Sequence, residues 1–343
     1  MNAAENVFFP DSDENSPSTV DFTARIAADG VWPVQSGRYR LVVSRACPFS
    51  GRALVTRRLM GLEHALSLAV TDPIQDDRSW HFGLDPAGRD PVLGIEFLAE
   101  AYRAADPAYD GGVSVPAIVD IPSGKLATND HTRITLDLAT EWGEHQRPGA
   151  PDLYPEERRD EIDEINDLLA DDLNYGVYTC GLAETQQQYS AAFRKLFDRL
   201  DWLEQRLSGQ RYLVGETITE SDIRLFTSLV RFDSVYHGHF RCNRNKLTEM
   251  PALWAYARDL FQTPGFGDTV HFTDIKRHYH LVLPHLDENR IIPEGPDLSG
   301  WWRPHGRQEL GGRPFGDGTP PGPAPDDERW TDPLSAGATG AVR

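Results

Sequence analysis

The stretch RYRLVVSRACPFSGRALVTRRLMG, residues 38–61, decides the fold. Residues 38–44 are a short, β-branched apolar run that reads as a buried strand. A cysteine, Cys47, and then Pro48 follow at once, and proline suits a first helical turn because its missing N–H would be unpaired there anyway. Val55, Leu59 and Leu62 recur at helical spacing, and Gly61 supplies the stop. The sulfur therefore stands at a helix N-terminus, where free N–H groups and the positive end of the peptide dipole favour a thiolate. Arg45 and Arg52 add positive charge nearby, so the Cys47 pKa is expected to fall. Most free cysteines are simply buried, and only this placement argues for a reactive one. Position 50 is serine, so no disulfide can close within the motif, and the natural product of attack is a mixed disulfide with an outside thiol.

Working outward, residues 65–70 (ALSLAV) read as a second strand and 94–106 (GIEFLAEAYRAAD) as a helix. Residues 114–120 (SVPAIVD) and 124–128 (GKLAT) make strand, turn, strand, and 131–142 make another helix. The order βαβαββα, with Val-Pro opening the third strand, is that of a thioredoxin-like domain. If the Val115–Pro116 bond is cis, which proline permits at low cost, the Val115 backbone groups turn outward and can pair with an extended thiol ligand.

Past HQRPGAPDLYPEE the pattern becomes wholly helical. Tyr189, Phe193, Leu196, Phe197, Leu200, Leu203 and Leu207 form one apolar stripe. Thr219 and Asp222 have the spacing of a capping box. A further helix is expected from Pro251 and a short one at DIKRHYH. The expected division is an extension at 1–36, a thioredoxin-like domain at 37–145, an all-helical domain at 154–292 and a tail at 293–343. The tail is rich in glycine and proline and too poor in apolar residues to pack alone, so it is either mobile or draped over the helical domain.

The chain of 343 residues is 39% hydrophobic, enough for two domains, and its net charge of -19 makes nucleic acid and anionic membranes poor partners. No run is long enough to span a bilayer. The acidic, proline-broken N-terminus lacks the features of a signal peptide, and three scattered cysteines do not suggest a disulfide framework, so a reducing cytoplasm is expected. His237, His239, His278 and His280 lie in pairs spaced two apart without cysteine or carboxylate partners, so no metal is expected.

The segments RACPFSGR, SWHFG, SVPAIVD, NYGVYTCGLAETQQQY, QRYLVG, TESDIRLF, RFDSVYHGHFRCN and IKRHYH occur in order between about residues 39 and 293. Taken together they resemble the glutathione transferase superfamily, specifically its Xi class, the glutathionyl-hydroquinone reductases. The resemblance implies a thioredoxin-like N-terminal domain, an all-α C-terminal domain and a homodimer. It implies that Cys47 removes glutathione from aromatic, hydroquinone-like thiol adducts through a mixed disulfide that a second thiol resolves. Trp80 would pack on the thiol, Val115 and Pro116 would present the backbone to it, and Tyr178, Tyr236 and Tyr279 would line the aromatic site. Two departures stand out. Gly112 occupies the position where the family commonly has an arginine, and Asp130 with His131 replaces Glu-Ser at the γ-glutamyl end. The expected thiol cosubstrate is therefore glutathione or, as a variant, mycothiol. Reductive dehalogenation, quinone conjugation and a non-catalytic binding role are the alternatives.

Overall fold

Every side chain of β1 (Tyr39–Val43) is buried, which is why its sequence shows no polar alternation. In the computed structural model, which describes residues 22–283, 286 and 288–334, β1 is an inner strand of a four-stranded sheet ordered β2-β1-β3-β4. β2 (Leu66–Val70) runs parallel to it with Tyr39 opposite Leu66. β3 (Ala117–Asp120) runs antiparallel with Leu41 opposite Ile118, and β4 (Lys125–Thr128) closes the edge as a hairpin.

α1 (Pro48–Met60) is buried along its whole length, because the sheet covers one side and the helical half of the molecule the other. It ends at Gly61, whose φ of 70° directs its N–H back to the carbonyls of Arg57 and Arg58. A Cβ at Gly61 would also meet the Arg147 side chain at 2.6 Å. α2 (Ala99–Ala105) is shorter than the helix expected over 94–106. Gly94 takes a φ of 70°, and the Glu100 carboxylate accepts the N–H groups of Glu96 (2.8 Å) and Phe97 (2.9 Å), which holds the preceding residues in a turn. α3 (His131–Thr140) starts at an Asp130 N-cap.

The helical half comprises α4 (Arg159–Leu169), α5 (Gly176–Gly181), α6 (Gln186–Gly209), α7 (Glu220–Arg231), α8 (Pro251–Gln262) and α9 (Phe272–Val282). On α6, Leu196, Phe197, Leu200, Leu203 and Leu207 enter the core, while Tyr189 and Phe193 are only half-buried. α7 is buried all round. Its cap is the expected box, and the Asp222 carboxylate accepts the hydroxyl of Thr219 (3.1 Å) as well as its N–H (2.8 Å). Single π-turns, Ala170–Asn174 and Phe232–Tyr236, follow α4 and α7.

The described part of the tail is draped over both halves of the molecule. Trp301 enters the core beside Trp254 and Phe261, and buried Arg307 donates to the carbonyls of Leu207, Gln210 and Arg211. Farther on, Glu328 pairs with Arg57 of α1 at 2.6 Å. Asp332 caps α9 by accepting the Phe272 N–H at 2.7 Å. Of the expected extension, residues 1–21 lie outside the described residues, while Ile26 is buried and Arg25 pairs with Asp137 at 2.5 Å. No helix among the described residues is long and apolar enough to cross a membrane.

Candidate active site at Cys47

Cys47 is the N-cap residue of α1, with extended backbone angles (φ −72°, ψ 127°) and the Ser50 N–H donating to its sulfur at 3.5 Å. The Val115–Pro116 peptide bond is cis. The Cys47 thiol lies 3.4 Å from the Val115 carbonyl oxygen, to which it donates, so the first and third strands bring these two residues together. The thiol is half-buried and unoxidised.

Its electrostatics correct the expectation of a lowered pKa. Burial pushes the Cys47 thiol above its ordinary value, and the Ser50 amide and the Arg231 charge offset this only in part. Of the two arginines singled out in the sequence, Arg45 is engaged elsewhere, while Arg52 does act electrostatically on the sulfur. Arg45 pairs with Asp274 at 2.6 Å and lies over the Trp330 ring, while Arg52 is buried against Phe49. A further cation that acts on the sulfur is Arg231, at the end of α7. It donates to the carbonyls of Arg45 (3.3 Å), Ala46 (2.9 Å), Cys47 (3.2 Å) and Thr227 (2.6 Å) and has no carboxylate partner among the described residues. Sequence reasoning missed it, since the only signal is an arginine at the end of an otherwise buried helix.

Trp80 is 2% exposed and packs in the same apolar cluster as Cys47. Its ring stacks on His278 with centroids 5.4 Å apart, and His278 stands perpendicular to Tyr279. The three tyrosines meet through their hydroxyls: Tyr178 to Tyr279 at 2.5 Å and Tyr236 to Tyr279 at 3.1 Å. All three are buried, which raises their pKa values and keeps the phenols protonated, and Cys47 is near enough to act on Tyr178 and Tyr236 electrostatically. The arrangement puts a thiol near a cluster of protonated phenols, groups whose chemistry allows nucleophilic attack and proton donation.

Asp130 and His131 sit at the start of α3, but not as free charges. Asp130 Oδ1 accepts the Thr132 N–H (3.0 Å), the Thr132 hydroxyl (2.5 Å) and the Arg133 N–H (3.2 Å). His131 stacks on Phe49 and meets the Tyr175 hydroxyl at 2.9 Å. Burial, with Arg52 and Arg224 nearby, lowers its pKa to about 3, so the imidazole is neutral at any physiological pH. Among the described residues no group of three or more His, Cys, Asp or Glu side chains could hold a metal ion.

A model of the glutathione S-transferase C-terminal domain matches residues 186–259. Glutathionyl-hydroquinone reductase PcpF of Sphingobium chlorophenolicum is 39% identical over 264 residues, covering 76% of this chain and 84% of its own. The chain belongs to the glutathione transferase superfamily, in its Xi class. A glutathione transferase structure from Gordonia bronchialis superposes on this Xi-class chain with a TM-score of 0.89 and 56% identity, covering 91% of this chain and 99% of its own. The glutathione-bound structure of YqjG from Escherichia coli gives a TM-score of 0.79 at 36% identity, covering 84% of this chain and 96% of that one.

Proposed function

We propose that the protein removes a low-molecular-weight thiol from aromatic, hydroquinone-like thioether adducts. In the first step the Cys47 thiolate attacks the adduct sulfur, forming a mixed disulfide. The aromatic carbon–sulfur bond breaks and the ring carbon takes up a proton, for which the Tyr178, Tyr236 and Tyr279 cluster is the donor. A second thiol then attacks the mixed disulfide, frees Cys47 and leaves as the symmetrical disulfide, so that two thiols together reduce one aromatic carbon. Trp80 and the backbone of Val115 and Pro116 hold the thiol, and the phenol faces hold the ring. The observation that carries this reading is the Cys47 sulfur set at a helix N-cap 3.4 Å from Val115 O, in a chain 39% identical to a glutathionyl-hydroquinone reductase.

The test is incubation with glutathionyl-hydroquinone followed by intact-mass analysis. An adduct of one thiol on Cys47 and release of free hydroquinone are expected, with neither in Cys47→Ser. Absence of both products from the unaltered protein would sink the proposal. The raised thiol pKa favours one competing reading, a non-catalytic binding module, in which hydroquinone is retained but not released. The proposal also places the protein in the cytoplasm as a homodimer, consistent with its unpaired cysteines.

A further inference from the structure

A cation taken out of water must be matched by an anion or by hydrogen-bond acceptors, because an unmatched one loses its hydration without return. Arg52 is such a cation. Long side chains on a helix lean back toward its N-terminus, and that of Arg52 runs from α1 over the Phe49 ring, 4.9 Å from its centroid, toward the turn that begins at Cys47. It is 2% exposed, and its Nε and Nη2 have no hydrogen-bond partner among the described residues. Burial and the neighbouring Arg224 lower its pKa to about 10, which still leaves it charged at neutral pH.

The carboxylate that acts on Arg52 is Glu220, and its oxygens are already filled. Oε1 accepts the Thr135 hydroxyl (2.9 Å) and Oε2 the Asn166 amide (2.6 Å), while Arg224 Nε donates to both at 2.6 and 2.7 Å. Two guanidinium groups thus share one carboxylate, and a positive charge is left over inside the molecule. The other groups around Arg52 and Cys47 do not cancel it. His131 is neutral, the phenols of Tyr175, Tyr178 and Tyr236 are held protonated by burial, Asp130 is engaged at its own helix cap, and Arg231 is a further cation. Of the groups that act on Arg52, the Cys47 sulfur is the one that gains and loses a negative charge in the proposed reaction.

We infer that Arg52 is a positioning residue for the steps that charge the Cys47 sulfur: its guanidinium is half of a buried ion pair whose other half exists only while that sulfur is negative. This rests on the reading of Cys47 as the residue that takes up the thiol. The consequence is kinetic. In capture from a disulfide, the Cys47 thiol gives up its proton, the thiolate attacks one sulfur, the S–S bond breaks and the far thiolate leaves with the bonding pair. In release, an incoming thiolate attacks the mixed disulfide, and Cys47 leaves with the pair and is reprotonated. At neutral pH, below the raised thiol pKa, the sulfur is uncharged before capture and uncharged in the mixed disulfide. Arg52 therefore stabilises what lies between the two states and neither state itself, so it speeds both directions by one factor.

Exchange with glutathione disulfide tests this in the full-length protein at neutral pH, with formation of the Cys47 adduct and its removal by glutathione both followed by intact mass. Arg52→Met is expected to slow each by about 5-fold or more and to leave the ratio of the two rates unchanged, with iodoacetamide labelling of Cys47 moved to higher pH. Arg52→Lys keeps the charge and is expected to fall between. Glu220→Gln removes the competing carboxylate and is expected to move labelling to lower pH, an opposite sign that loss of packing does not produce. A changed ratio for Arg52→Met marks a contact with bound glutathione instead and overturns the inference, as does an unmoved labelling profile. A Glu220→Gln profile that does not move downward also overturns it, whether or not Arg52→Met folds. All of these results leave the assignment of Cys47 standing. Failure of glutathione disulfide to modify Cys47 in the unaltered protein, while iodoacetamide labels it, overturns that assignment and the inference with it.

Discussion

At the residue scale the sulfur is governed by a contest between burial on one side and the Ser50 amide and nearby guanidinium groups on the other. Because burial raises the Cys47 thiol above its ordinary value of 9.0, most of the sulfur is protonated at neutral pH, and its reactivity is expected to climb with pH beyond that point. Iodoacetamide labelling of Cys47 measured between neutral and alkaline pH checks this; a plateau below neutrality would contradict it. Arg231→Gln removes a cation that counters burial, and the labelling profile is expected to move to higher pH, with Arg231→Lys falling between. A purely structural loss would lower the amplitude without moving the profile. Ser79, with φ at 134° and a buried hydroxyl lacking a partner among the described residues, occupies backbone space that favours glycine. Ser79→Gly is expected to stabilise the fold by roughly 1 kcal/mol in urea unfolding. At this scale Cys47 was legible because cysteine and proline punctuate the chain. Arg231 was not, since its role depends on three carbonyls about 185 residues away in sequence.

Among the elements, the strands and the two ends of α1 were readable because apolar runs, Pro48 and Gly61 act locally. The start of α2 was not readable. The Glu100 side chain competes with helix hydrogen bonding for the amides of Glu96 and Phe97, and such a choice is made by three-dimensional fit rather than periodicity. The tyrosine cluster was visible only through family resemblance, because its members come from α5, a π-turn and α9. The cap of α7 was legible as a spacing, but its weight was not. Asp222 accepts from Leu213 N (2.9 Å), Thr219 N (2.8 Å) and the Tyr256 hydroxyl (2.7 Å) while fully buried. Asp222→Ala leaves these donors without a partner and is expected to cost about 3 kcal/mol or more in urea unfolding, with Asp222→Asn costing less.

For the whole molecule, acid stability follows from two imidazoles held neutral. His131 and His278 have folded pKa values of about 3 and about 4, against 6.5 for an ordinary histidine. Below pH 6.5 the unfolded chain binds protons that the folded one refuses, so stability is full above that value and declines as pH falls toward 4. His131→Gln is expected to flatten this decline, as read from chemical unfolding at a series of pH values. The tail offers a second test at this scale. Arg57 is 1% exposed on its side chain and takes its counter-charge from Glu328, so Glu328→Ala is expected to destabilise the protein by about 2 kcal/mol. Composition alone left open whether the tail would float or lie down, because its anchors are isolated side chains rather than an apolar stripe.

Those anchors also impose an order on synthesis. Residues 328 and 332 emerge from the ribosome after both α1 and α9, which they fasten. The nascent protein can therefore bring its cysteine loop against the helices before its clasp exists, and the clasp is the last part to be added.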